Sequence, residues 1–202
     1  MEMQAILKYF SENPLEVAGT IFSLIYIYLS VNEKIALWIF GFLSAVCYTV
    51  VFFQSKVYAA LTLQLYYIFI SIYGFWNWKF GKNENTDNQL IIQKTKPKQW
   101  IVFATLALLI FLVYFIVLKY FTNSNIPFGD SFATALCVVA TFMLAGKLIE
   151  NWLVFIVADA FAVGLYIYQE LYITSCLFAI YAIMGIFGYF RWKKTMNNNI
   201  IL

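Results

Sequence analysis

The chain has 202 residues, of which 63% are hydrophobic, 21% aromatic and only 11% charged, with a net charge of +3 and no histidine. A soluble domain carries about 25% charged residues, so this composition excludes an ordinary soluble fold and leaves a polytopic membrane protein. The missing histidine excludes His general bases, His metal ligands and His proton relays, and the small net charge gives no case for a nucleic-acid partner.

The first fifteen residues lack a basic start followed by an apolar run, so no signal peptide is expected and the first helix should stay and insert. Seven apolar segments then follow in chain order: 14–31, 35–54, 57–79, 99–121, 128–146, 149–168 and 172–193. Each is near the roughly 20 residues that cross about 30 Å of hydrocarbon. The connectors Asn32-Glu33-Lys34, Gln54-Ser55-Lys56, Gly146-Lys147 and Gln169-Glu170 are so short that they force antiparallel hairpins. Gly81 to Gln99 is the one long polar stretch and reads as a solvated loop. The fourth segment is the plainest, dominated by Leu, Ile, Val and Phe, as a lipid-facing connector should be. Cys47, Cys137 and Cys176 all lie in apolar runs without CxxC spacing and are expected to be unpaired.

The chain also repeats itself. Offset by 114 positions, Trp38 falls on Trp152, Tyr58 on Tyr172, Tyr67 on Tyr181, Gly74 on Gly188, Trp78 on Trp192 and Lys79 on Lys193, while Glu16 faces Asp130. Eight of the 42 positions from Trp38 to Lys79 are identical, and they cluster at aromatics, glycine and the closing Trp-Lys. A duplicated three-helix unit is the reading. Three crossings leave the chain on the far side; one more helix returns it, so the second unit enters parallel to the first. The expected fold is all-α with seven transmembrane helices in a 3+1+3 order: a first repeat over 14–79, a cytoplasmic loop over 80–98, an inverter helix over 99–121 and a second repeat over 128–193. The positive-inside rule orients it. Lys8, Lys56 and Lys119 lie on one side and the other ten cations on the opposite side, which puts the N-terminus outside and the C-terminus in the cytoplasm.

Polar residues at membrane depth are few, and each is costly enough to be a functional candidate. In the sixth segment Asn151, Phe155, Asp159, Ala162 and Tyr166 share one helix face, with Asp159 near mid-span. Asp159 reads as a ligand contact, to a cation for example, or as a structural carboxylate with a tyrosine or backbone partner. The third segment carries Gln64, Tyr67, Ser71 and Gly74 on one face, and Gln64 suits either a ligand or a helix–helix hydrogen bond. The second segment offers Ser44 and Tyr48. Its Ala45 matches Asp159, so the two repeats differ chemically along their shared axis. The matched pairs Trp38 with Trp152 and Trp78 with Trp192 fit an interfacial aromatic belt. Trp76 fits a belt less well; with Trp152 and Tyr181 it joins the candidates as an aromatic platform for a flat or cationic ring. Asp130 and Glu150 fit helix-dipole and headgroup roles near segment starts. There is no Walker A motif, nucleophile–base pair, metal-ligand cluster or chain of buried carboxylates, so neither an enzyme nor a cofactor is expected. A passive transporter needs only a polar-aromatic pocket between paired units.

The runs Glu16-Val17-Ala18-Gly19-Thr20, Phe53-Gln54-Ser55-Lys56-Val57-Tyr58-Ala59-Ala60, Tyr73-Gly74-Phe75-Trp76-Asn77-Trp78 and Glu150-Asn151-Trp152-Leu153 resemble the Pnu family of vitamin transporters. The resemblance covers about residues 14–194. It implies a SWEET-like fold in the bacterial inner membrane, facilitated diffusion, a homotrimer, and net uptake driven by cytosolic phosphorylation of the solute by a separate kinase. It also implies that Asn151 matches the family's ligand-binding asparagine and Gln64 its mid-membrane glutamine. Relatives that take nicotinamide riboside place a tryptophan four residues after that asparagine; here Phe155 stands there, and Ser44 and Asp159 stand near positions where some relatives have asparagine. Nicotinamide riboside is the first expected solute and thiamine the alternative, with riboflavin and deoxynucleosides among other relatives' substrates.

Overall fold

The computed structural model describes residues 13–83, 86–122, 124–170 and 172–201. Seven helices run in order: α1 (Pro14–Val31), α2 (Leu37–Gln54), α3 (Tyr58–Phe80), α4 (Pro97–Phe121), α5 (Pro127–Ala145), α6 (Asn151–Tyr168) and α7 (Tyr172–Ile201). All three prolines of the chain sit at the first position of a helix, in α1, α4 and α5. There the missing N–H costs nothing and the fixed φ favours the first turn. Six helices are long and apolar enough to cross a membrane by length and composition: α1, α2, α4, α5, α6, and α7 over Ser175–Asn198. The 23-residue α3 has the length, but Gln64, Asn77 and its many Tyr and Trp residues make it less apolar.

The polar segment after α3 is not simply solvated. It contains a short antiparallel hairpin, β1 (Lys82–Asn83) with β2 (Thr86–Gln89). Beyond it, Leu90 and Ile92 are buried in the main apolar core. Gln93 then bridges to the α5–α6 turn, donating to Lys147 O at 3.1 Å and accepting from Ile149 N at 3.0 Å. Thr95 donates from both its N–H and its hydroxyl to one carboxylate oxygen of Glu150, at 2.8 and 2.7 Å. Glu150 thus anchors this segment at the head of α6, a role the dipole reading did not contain.

Four helices close with the same turn. Glu33, Lys56, Lys147 and Glu170 have φ of 55°, 58°, 51° and 62°. After α1 the N–H groups of Glu33 and Lys34 return to Ser30 O and Leu29 O; after α5 those of Lys147 and Leu148 return to Leu144 O and Met143 O. This is the Schellman closure, which satisfies the last carbonyls and usually takes glycine at the left-handed residue. Glu33 and Lys147 are 114 positions apart, and so are Lys56 and Glu170.

α1 packs on α2 and α2 on α3; α5 packs on α6 and α6 on α7. The cross-contacts run between α3 and α5 and between α1 and α7, and α4 lies mainly along α5. Where these sets meet, Trp38, Trp78, Trp152 and Trp192 form a buried cluster, exposed by 1%, 7%, 1% and 0%. Trp38–Trp78 and Trp152–Trp192 are edge-to-face pairs with centroids 5.7 and 5.6 Å apart, and Trp78 and Trp192 meet at 6.0 Å. The belt reading of these four residues is therefore corrected: they are core. An edge-to-face pair adds about 0.5–1.5 kcal/mol beyond the area it buries, and no headgroup position offers that.

Glycine makes the close approach possible. A Cβ on Gly74 would lie 2.4 Å from the Trp38 ring, and one on Gly188 would lie 2.6 Å from the Trp152 ring. Gly74→Ala and Gly188→Ala should each destabilise the purified protein by about 1–3 kcal/mol through overpacking. Gly164→Ala, with nothing within 4 Å of its Cβ, should be neutral or stabilise by up to about 1 kcal/mol through helix propensity. Thermal unfolding in detergent reads all three.

Candidate functional site

The helices surround one large cavity of about 1450 Å³. α1 contributes Ser23, Tyr26 and Ser30, α2 Gly41, Ser44, Ala45 and Tyr48, and α3 Gln64, Tyr67 and Ser71. α5 contributes Asp130, Thr134, Cys137 and Thr141, α6 Trp152, Phe155, Asp159, Ala162 and Tyr166, and α7 Phe178, Tyr181 and Gly185; Tyr114 of α4 closes one side. The spacing on each helix is that of a single face. Several wall residues are 114 positions apart: Ala45 with Asp159, Gln64 with Phe178, and Tyr67 with Tyr181.

Nine of the eleven candidate residues meet on this wall: Ser44, Tyr48, Gln64, Tyr67, Trp152, Phe155, Asp159, Tyr166 and Tyr181. Two do not. Trp76 is 66% exposed on the outer surface, against Phe80. Asn151 is fully buried at the start of α6, where its amide donates to Leu148 O at 2.6 Å and its Oδ1 has no partner among the described residues. Ser44 and Tyr48 are already engaged with α1. The Ser44 hydroxyl donates to Gly19 O at 3.0 Å and pairs with Ser23 at 2.8 Å, and Tyr48 pairs with Thr20 at 2.8 Å.

Asp159 is different. It is 6% exposed, borders the cavity, and has neither a hydrogen bond nor an ion pair among the described residues. A structural partner from tyrosine or backbone, the alternative open at the sequence level, is not made. Gln64, Tyr67, Tyr166 and Tyr181 likewise form no hydrogen bond among the described residues, and so leave their polar atoms to the cavity. Phe155, Phe178 and the tyrosines supply ring faces; Tyr166 stacks on Phe178 with centroids 5.1 Å apart, and Phe178 meets Tyr181 edge-on at 5.9 Å. A carboxylate without a partner, set among aromatic faces, favours a cation with a flat ring.

The cavity is accessible from one end. Its rim is formed by the exposed Lys56 and Val57 of the α2–α3 turn, by Ser124 and Asn125 before α5, and by Gln169 after α6. Its floor is formed by Ser30, Trp38, Leu144 and Trp152, all essentially without exposure, and the other two tryptophans of the cluster, Trp78 and Trp192, pack against the floor indoles from behind.

Fold and cavity together define a class: a multi-pass helical membrane protein enclosing a solute-sized pocket with polar and aromatic walls. The chain belongs to the family described as "Nicotinamide mononucleotide transporter", whose profile matches residues 13–194. It is 25% identical to "Nicotinamide riboside transporter PnuC" of Escherichia coli (strain K12) over 201 residues, covering 88% of this chain and 84% of that one. The same figures hold for the transporter of that name from Shigella flexneri. Its fold is similar to that in the "Crystal structure of the Vitamin B3 transporter PnuC", with a TM-score of 0.70 and 21% sequence identity over 98% of this chain and 88% of that one.

The contributions of α1 and α5 went unread in the sequence. A signal was there: Ser23, Tyr26 and Ser30 keep one face of α1, and Asp130, Thr134, Cys137 and Thr141 keep one face of α5. Serine and threonine are common helix-backbone partners and do not stand out as lining residues. Here Thr141 does bond back, to Cys137 O at 2.7 Å, as such residues often do in helices.

Because Asp159 is a buried carboxylate without a hydrogen bond or ion pair among the described residues, Asp159→Asn should stabilise the ligand-free protein by about 0.5–2 kcal/mol. A rise in the thermal midpoint without ligand would be the expected result.

Proposed function

We propose that this chain is a membrane transporter rather than an enzyme, a uniporter that moves nicotinamide riboside by facilitated diffusion. The observation that carries the reading is the Asp159 carboxylate, held without a partner on the wall of an aromatic cavity. Nicotinamide riboside presents a flat pyridinium cation, which a carboxylate attracts and aromatic faces accept. Its ribose hydroxyls and carboxamide suit the free groups of Gln64, Tyr67, Tyr166 and Tyr181. The names of the relatives support the same solute.

The family description names the mononucleotide; the cavity's charge favours the riboside. The carboxylates Asp130 and Asp159 line it against the single ammonium of Lys56. A phosphate monoester carries a charge of about −1.5 to −2 near neutral pH and would be repelled. The same repulsion gives uptake its direction: once a cytosolic kinase phosphorylates the riboside, the product no longer fits the cavity and stays inside. Thiamine is the alternative solute, because Asp159 suits its thiazolium ring as well.

The architecture belongs to the same proposal. Two parallel three-helix units, 14–79 and 128–193, are joined through the 80–98 loop by an inverter helix over 99–121, in the SWEET-like order, with α3 counted as the seventh span. The 114-residue offset of the left-handed turns and of the Trp–Gly contacts supports this division. The count of three cations against ten supports an external N-terminus and a cytoplasmic C-terminus in a bacterial inner membrane, although Lys8 lies outside the described residues. The homotrimer rests on the family resemblance alone.

Calorimetry with the purified protein tests the solute. Nicotinamide riboside should bind, with the mononucleotide at least tenfold weaker. Asp159→Asn should weaken the riboside by about tenfold or more, as expected for a desolvated charge pair, and a neutral analogue far less. Binding of thiamine with no response to the riboside would promote the alternative. In proteoliposomes, counterflow should proceed unchanged without a pH gradient, and dependence on that gradient would exclude uniport.

A further inference from the structure

Two indole N–H groups cross between the helix sets in reciprocal fashion. Trp78 on α3 donates to Leu144 O at the end of α5, at 3.2 Å. Trp192 on α7 donates to Ser30 O at the end of α1, at 3.1 Å. The donors are 114 positions apart, and so are the acceptors. Beside them Lys147 and Glu33, again 114 apart, form an ion pair at 2.9 Å, and the Lys147 ammonium lies 4.6 Å from the centre of the Trp78 ring.

These links lie directly behind the floor of the cavity. By contrast, the Gly74–Trp38 and Gly188–Trp152 contacts join α3 to α2 and α7 to α6, within each helix set. One group of contacts therefore holds each set together, and another holds the sets to each other. Among the described residues the indole N–H groups of Trp38 and Trp152 on the floor, and the Oδ1 of the buried Asn151 outside the cavity wall, have no hydrogen-bond partner. A permanent core rarely leaves such groups unpaired, whereas a closure that opens periodically would hydrate them.

We propose that the reciprocal Trp78–Leu144 and Trp192–Ser30 bonds, together with the Glu33–Lys147 ion pair, form a gate that closes this end of the cavity and opens as one unit. The proposal rests on the reading that a solute crosses through the cavity. The sets move as rigid bodies, the Trp–Gly contacts persist, and the three cross-links break together with the neighbouring Asn77–Ala145 O bond. The segment around Gln93 and Thr95 is bonded to the α5–α6 turn and moves with it. The two indole bonds match, but the α3–α5 side carries a further link, the Asn77 amide to Ala145 O at 2.9 Å, so removing the Trp192 donor should loosen the gate more than removing that of Trp78.

Cys137 lines the cavity and can report access. In full-length protein carrying Cys47→Ala and Cys176→Ala, reconstituted in proteoliposomes, a membrane-impermeant maleimide should label Cys137 from the α2–α3 turn side and not from the tryptophan side. Glu33→Gln, Lys147→Gln, and Trp78→Phe with Trp192→Phe should each raise labelling from the tryptophan side about tenfold or more, as expected for the loss of at least one buried link. The exchange Glu33→Lys with Lys147→Glu should restore protection. Labelling from both sides in the parent protein would overturn the gate, as would a pattern unchanged in the two glutamine variants. Those variants lie in turns and keep the test open if the double tryptophan variant does not fold. Labelling requires no solute, so failure of the transport reading would appear separately, as normal gating without riboside binding.

Discussion

The rest of the structure depends on one constraint: four indoles must meet at the end of a seven-helix bundle. The contact is possible only because Gly74 and Gly188 remove the side chains that would hold α3 off Trp38 and α7 off Trp152. Once α3 and α7 are drawn in, Trp78 and Trp192 reach the end carbonyls of α5 and α1. Those carbonyls already accept the turn N–H groups of Lys147 and Glu33. Turn closure, aromatic packing and the joining of the two helix sets therefore share the same few atoms, and the cavity lies above them.

The cavity follows from this arrangement. Convergence at one end, with a rim of short turns at the other, leaves space between the sets rather than within them. The wall residues come from helices of both sets, and at the 114-residue offset several of them differ. Asp159 matches Ala45, and Gln64 matches Phe178. A frame with matched turns and matched Trp–Gly contacts thus carries an asymmetric interior.

Much of this was legible in the chain. The helix boundaries followed from apolar length, from three prolines and from short connectors. The Gln64 and Asp159 faces followed from helical spacing, because a carboxylate or amide at membrane depth is conspicuous. The tryptophans were misread because an indole is amphipathic. Near a helix end it suits the headgroup region and a buried cluster equally well, and only the partner helix decides. Trp76 shows the converse: it looked like a platform and lies on the outer surface. Asn151 followed from the family motif, yet its amide is turned to Leu148 O, a local preference that helical spacing does not reveal. Leu90 and Ile92 were hidden in a segment whose polar average concealed two core residues.

The left-handed turn residues carry a further consequence. Glu33 is matched by Lys147, and Lys56 by Glu170, so the charge is reversed at both positions. Across the seam between the two helix sets, Glu33 meets Lys147 at 2.9 Å. A pair assembled from either unit alone would bring Glu33 against Glu33, or Lys147 against Lys147, in a half-buried site where like charges repel. The seam thereby discriminates self from complement, and it favours pairing of the two unlike halves over exchange between neighbouring copies of the protein.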